Sequence, residues 1–434
     1  MALTGALLLA TAPVASADYV RDQQWILNAF AVKDVWAESQ GQGVTVAVVD
    51  SGVDASHPDL SGQVLEGKDF TGGGNAQEDR LGHGTSMASI IAGHGHGEGN
   101  SSGMMGLAPK AKILPLRTLQ TEKDPNHDET WAAAVRYAVD KGAKVINLSF
   151  SNDGGKTLSD GRAAIAYAQA HDVVVVSGSG NEGSIAVDEP AALPGVVAVG
   201  AIDEKANRWE GSNTGKGLAL MAPGVKVLAA DTTRSQQYSL SNGTSDATAY
   251  VSAAAALVRS KYPDLSAGQV INRLIKSATF AHHKGLKAPD EEYGYGIVRP
   301  YSALTMDIPA GPKTNPLGQL TSVSSQSSKG TDSSTAAKKK SSSSNLVLIG
   351  GIAAVVIIGV IAFVLIRSRR NGGNGGSGSG DGASIGGYSA PQPTYPSGQQ
   401  SYPNSAPNQG YPSAPGQAQQ HPNPYSQQPP HQGK

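Results

Sequence analysis

No cysteine occurs anywhere in the 434 residues. Disulfides, thiolate metal sites, c-type haem attachment and a cysteine nucleophile are therefore excluded on chemical grounds. An excess of charge of one sign is lacking too. Lys plus Arg total 34 against 35 for Asp plus Glu, a net charge of -1, so no global field draws the chain to nucleic acid. Charged residues make up 16% and hydrophobic residues 39%, below the roughly 25% and 45–50% of ordinary globular chains. Part of the chain therefore has too little apolar surface to build a core, and 54 glycines point the same way.

The two ends differ from the middle. Residues 1–17 read MALTGALLLATAPVASA: an apolar run, a proline, then Ala15-Ser16-Ala17 as a small-residue cleavage site. This is the pattern of a secretory signal peptide, although no Lys or Arg precedes the apolar run. Residues 346–366 are all apolar or glycine and, at about 1.5 Å each, match the roughly 30 Å of a bilayer core. One transmembrane helix is expected there. Lys338, Lys339 and Lys340 before it nearly balance Arg367, Arg369 and Arg370 after it, so the signal peptide sets the orientation, with residues 18–345 outside and 367–434 cytoplasmic. Residues 308–345, rich in Ser, Thr, Gly and Lys, read as a flexible linker. Residues 367–434 read as a disordered Gly/Pro/Gln-rich tail, with 13 Gly and 11 Pro after position 370.

Residues 18–307 remain for one folded domain. Apolar, β-rich runs at 44–49, 113–116, 144–148, 173–176, 196–202 and 225–229 alternate with helix-like segments at 129–141, 158–171, 244–261 and 267–278. Several runs are continuous rather than alternating, as in strands buried on both faces. The expected class is α/β: an open, mostly parallel sheet with helices on both faces. Chemistry in such sheets collects in the crevice beyond the carboxyl ends of the strands.

Three segments there carry reactive groups. Asp50 ends the strand VTVAVVD and starts Asp50-Ser51-Gly52; a carboxylate fixed at that point can hold an imidazole tautomer and stabilise the imidazolium. A polar residue that merely ends a strand is the plainer interpretation. An aspartic-protease mechanism needs two carboxylates sharing a proton, and no second Asp-Ser-Gly or Asp-Thr-Gly exists; only a homodimer would supply one. His83 lies in Gly82-His83-Gly84-Thr85 at the start of a small-residue helix, with glycines leaving the ring accessible. Ser245 follows Gly243-Thr244 before DATAYVSAAAALV, where free N–H groups of a helix start can stabilise an oxyanion. Plain capping is the alternative there.

Taken together, these segments resemble the subtilisin-like serine proteases, whose Asp, His, Ser order matches Asp50, His83 and Ser245. The resemblance implies a subtilisin-like peptidase domain over 18–307 and a protein or peptide substrate. It also implies an oxyanion-binding Asn181 after the run 173–176, and substrate contacts along Ser149, Phe150, Ser151, Ser177, Gly178, Ser179 and Gly180. Ser86, in Gly84-Thr85-Ser86-Met87-Ala88, spells the family's serine motif better than Ser245 does, but it sits on the His83 helix with no helix start of its own. Around Ser245 the chain departs from the family: Asp246 stands where Met or Phe is usual, Ala249 where Pro is, and Ala253 where Gly is.

Residues 18–49 leave no room for a domain-sized propeptide. A short extension, a signal peptide, a polar linker and a terminal membrane helix followed by Arg are similar to the mycosins, membrane-anchored proteases of actinobacterial type VII secretion. That resemblance implies a single-pass cell-membrane location with an extracytoplasmic catalytic domain, and a type VII secretion membrane complex as partner. The long tail and the absence of Cys depart from that pattern. A catalytically inactive pseudoprotease stabilising a secretion complex and a surface-tethered general protease are the alternatives. No cofactor or metal is expected: His94 with His96, and His282 with His283, lack a third ligand, and structural calcium stays open for want of a readable loop pattern.

Overall fold

The computed structural model describes residues 19–121, 127–152, 155–278 and 287–320. Helices α1 (Tyr19–Asp22), α2 (Trp25–Ala29) and α3 (Val32–Glu38) lead into strand β1 (Thr45–Asp50) and the two-residue β2 (Lys68–Asp69). Then come α4 (His83–Ala92), β3 (His94–His96), β4 (Ser102–Met105), β5 (Lys112–Arg117), α5 (His127–Asp140), β6 (Val145–Leu148), α6 (Ser159–Ala170) and β7 (Val174–Gly178). The second half holds β8 (Val197–Ile202), β9 (Leu218–Pro223), β10 (Val225–Ala230), β11 (Tyr238–Asn242), α7 (Thr244–Lys261), α8 (Ala267–Ser277) and α9 (Pro300–Thr305).

Seven strands form one sheet in the order β2-β5-β1-β6-β7-β8-β9, and every pairing in it is parallel. The expected α/β class holds, and the physical cause is visible in the strand side chains. Val46 and Val48 join a core with α4 and α7, while Ala47 and Val49 join a second core with Trp131, Val135 and Ile165 of α5 and α6. Both faces are covered, so each run has to be apolar throughout. Strand order reverses direction at β1, with β5 on one side and β6 on the other. That reversal opens the crevice at the carboxyl ends of β1 and β6.

Two local departures from the expected pattern have simple causes. The run LALMAPGVKV divides at Pro223-Gly224: its first half is β9, the sheet's edge strand, and its second half is β10, which leaves the sheet to pair antiparallel with β11. Beyond residue 307 the chain remains fastened to the domain. Leu317 O accepts from Gly195 N–H at 3.0 Å, Asn315 Nδ2 donates to Gly195 O at 2.7 Å, and Leu320 N–H donates to Gln169 Oε1 at 2.9 Å. Among the described residues no helix is long and apolar enough to cross a membrane. The 1–17 and 346–366 segments and the 367–434 tail lie outside the described residues.

Candidate active site

β1 stops at Asp50, whose residue is 1% exposed and whose carboxylate accepts from Ser51 N–H at 2.8 Å. α4 starts at His83, and His83 Nδ1 lies 2.8 and 2.9 Å from the two Asp50 oxygens. In the neutral ring Nδ1–H donates to the carboxylate and Nε2 holds the lone pair. The close approach needs glycine at 84, because a Cβ there would collide with the Gly52 carbonyl oxygen. Asp79 holds the start of α4 in place. Its oxygens accept from Gly82 N–H at 2.9 Å, Thr85 N–H at 2.8 Å and the Thr85 hydroxyl at 2.7 Å, and from the Ser51 hydroxyl at 2.9 Å. Sequence reading missed Asp79; its signal was an Asp four positions before His83, where a helix start lacks acceptors for its N–H groups.

Ser245 is the second residue of α7. Its hydroxyl donates to the Ser149 carbonyl at 3.0 Å, while the Ser149 hydroxyl donates back to the Ser245 carbonyl at 3.0 Å. The start of α7 is thus laced to the segment that follows β6. Asn181 lies just past β7, and its Oδ1 accepts from both the N–H and the hydroxyl of Thr244 at 2.9 Å. With Oδ1 so engaged, the Nδ2 group is turned away from Thr244. Among the described residues no hydrogen bond joins His83 to Ser245.

Three carboxylates face the imidazole. Desolvation opposes the charged ring, but Asp50, Asp246 and Asp79 outweigh it and push the His83 pKa up to about 9. Asp246 is 2% exposed. Burial pushes its pKa up to about 7, against the Ser241 hydroxyl, which donates to both its oxygens, and the attraction of His83. The departure at position 246 is therefore turned inward and bears on the imidazole rather than pointing into solvent.

The segments expected to contact substrate divide in two. Ser177 and Ser179 are fully buried, with hydroxyls donating to Phe150 O at 3.4 Å and Asn213 O at 2.9 Å. Ser179 N–H donates to Val199 O and Ser179 O accepts from Asp188 N–H. Residues 178–180 can thus offer a wall rather than a pairing edge. Ser86 donates to Ala230 O at 2.6 Å and fastens α4 to β10. His94 Nε2 lies 2.8 Å from Ser61 O, and His96 Nδ1 lies 2.6 Å from Asp59. Among the described residues no group of three or more His, Asp or Glu is placed to hold a metal; His282 and His283 lie outside them.

A profile of the subtilase family of peptidases, Peptidase S8, matches residues 41–296. The chain belongs to the subtilase family. It is a subtilisin-like serine endopeptidase, as are its relatives. Subtilisin DY of Bacillus licheniformis is 37% identical over 256 residues, 57% of this chain and 89% of that protein. Thermitase of Thermoactinomyces vulgaris is 35% identical over 247 residues, 56% of this chain and 84% of that protein. Among solved structures, MycP1 from Mycobacterium smegmatis is similar with a TM-score of 0.58 at 28% identity, over 71% of this chain and 89% of that one. The MycP3 protease from the type VII (ESX-3) secretion system is similar with a TM-score of 0.55 at 31% identity, over 65% of this chain and 88% of that one. Within the subtilase fold, the inward Asp246 is a local departure set on a familiar frame.

Proposed function

We propose that this subtilase is a membrane-anchored, extracytoplasmic endopeptidase in which Asp50, His83 and Ser245 act as the catalytic triad. The observation that carries the reading is the Asp50 carboxylate gripping His83 Nδ1 through both oxygens beside the helix start that bears Ser245. Asp50 fixes the tautomer, so Nε2 is the base. The Ser245 hydroxyl leaves Ser149 O, gives its proton to Nε2 and attacks the peptide carbonyl. Negative charge develops on the carbonyl oxygen, where Asn181 Nδ2 and the first-turn N–H groups of α7 donate. As the C–N bond breaks, His83 hands the proton to the leaving amine, and water then releases the acyl group by the same route.

The location and partner rest on two supports: the 346–366 segment and the likeness to MycP1 and MycP3, solved as components of type VII secretion systems. The partner is then a type VII secretion membrane complex, and the substrate one of the proteins that meet it. Hydrolysis of unstructured peptides by the full chain tests the chemistry. Ser245→Ala lowers kcat/KM by about 1000-fold or more with an unchanged melting temperature. Undiminished turnover by that variant places the nucleophile elsewhere, and a wild-type chain without turnover supports an inactive scaffold instead.

A further inference from the structure

β6 is buried on both faces, and its residues alternate between the two cores. Ile146 and Leu148 pack toward α5 and α6, while Val145 packs toward α4 and α7. Asn147 shares the face of Val145 and is fully buried. Its neighbours across the sheet are Val48 and Val176, both in the same core as Val145. A valine would suit the position. An amide there costs free energy unless its polar atoms are bonded.

The amide is bonded, and both its ends lead to α7. The Ser252 hydroxyl donates to Asn147 Oδ1 at 3.0 Å, and Asn147 Nδ2 donates to the Ser149 hydroxyl at 2.9 Å. That hydroxyl in turn donates to the Ser245 carbonyl at 3.0 Å. Because a carbonyl only accepts, the Ser149 hydroxyl must receive its own bond from Nδ2, which leaves Oδ1 for Ser252. The three bonds run in one direction and reinforce one another. Ser245 and Ser252 lie about two turns apart on one face of the helix. α7 is thereby fastened to the line of β6 at two points, one at the nucleophile and one behind it.

We propose that Asn147 is a positioning residue for the nucleophile: through Ser149 and Ser252 it fixes the advance and rotation of α7 along β6, and with them the place of the Ser245 hydroxyl. Apolar contacts between helix and sheet are non-directional and set that place only loosely. Misplacing a reacting group by about 1 Å costs on the order of 100-fold in rate, so directional bonds at this contact have a use that a valine could not serve. Asn147 acts through the two serines and not on the substrate. The proposal rests on Ser245 being the nucleophile, as proposed above.

Hydrolysis of a peptide amide by full-length variants tests it, with kcat, KM and melting temperature read together. Asn147→Val matches its neighbours in the sheet, and the released Ser252 hydroxyl can bond the Thr248 carbonyl one turn back. This variant keeps or raises the melting temperature, while kcat falls about tenfold or more and KM stays within about twofold. Ser252→Ala, which leaves Ser149 and Ser245 in place, lowers kcat about three- to tenfold, again with KM held. An unchanged kcat in Asn147→Val overturns the proposal, as does a loss that moves in step with KM and melting temperature. If Asn147→Val does not fold, Ser252→Ala decides alone by the same measure. Failure of the triad reading shows separately, as wild-type and Ser245→Ala proteins with equal turnover, and overturns both.

Discussion

At the scale of single residues, the charge around His83 sets the working range. Its pKa of about 9, against an ordinary 6.5, means that folding favours the imidazolium. This stabilisation is complete below pH 6.5 and is lost as pH rises through 9. In the proposed mechanism the free base appears over the same interval, so the expected outcome is a kcat/KM that rises with pH toward about 9. Asp246, with its pKa near 7, is already ionised when His83 deprotonates. Asp246→Asn therefore moves the rising limb of the pH profile toward neutrality and raises kcat/KM at pH 7 by about three- to tenfold. A limb that stays in place would show that Asp246 does not act on the ring. The positions of Asp50, His83 and Ser245 were legible because each sits at a strand end or helix start that the sequence announces. The inward turn of Asp246 was not, since it depends on a hydrogen bond from Ser241 and on burial by distant chain.

At the scale of elements, strands buried on both faces and long small-residue helices could be read from the chain because their apolar runs follow from the layers that cover them. β9 was missed because Pro223-Gly224 hides the boundary between two strands with different partners. β2, β3, β4 and β11 are too short or too polar to stand out: β11 reads YSLSN, half in water. The helices at 19–38 were missed for another reason, since they are held by bonds to remote backbone, such as Gln24 with Met105 and Trp25 with Val225. Local energetics are testable on α8, where Ser266 and Gln269 form a reciprocal cap. Ser266→Ala costs about 1 kcal/mol in chemical denaturation. Trp131, fully buried between α5 and α6, is far more costly to truncate, with Trp131→Ala losing about 3–5 kcal/mol.

At the scale of the whole molecule, the crevice that bears Asp50, Ser149 and Asn181 and the strap of residues 306–320 lie at opposite ends of the sheet. Asp50, Ser149 and Asn181 follow strand carboxyl ends, whereas the 306–320 strap binds Gly195 and Gln169, which precede β8 and β7. A chain ending at residue 320 keeps the melting temperature and peptide turnover of the full protein. One ending at 306 loses the strap's bonds to Gly195, Gln169, Ser266 and Gln269 and melts several degrees lower, about 2–4 °C per kcal/mol lost. Equal melting of the two would show that the strap contributes nothing to stability.

In the proposed mechanism one hydroxyl among the chain's many serines is activated by the Asp50–His83 pair. Treatment of the full chain with a fluorophosphonate, followed by mass spectrometry of its peptides, reads this directly. The expected outcome is a single adduct on Ser245 that disappears in His83→Ala. An adduct on Ser86 or any other serine, or none at all on a folded chain, would contradict it.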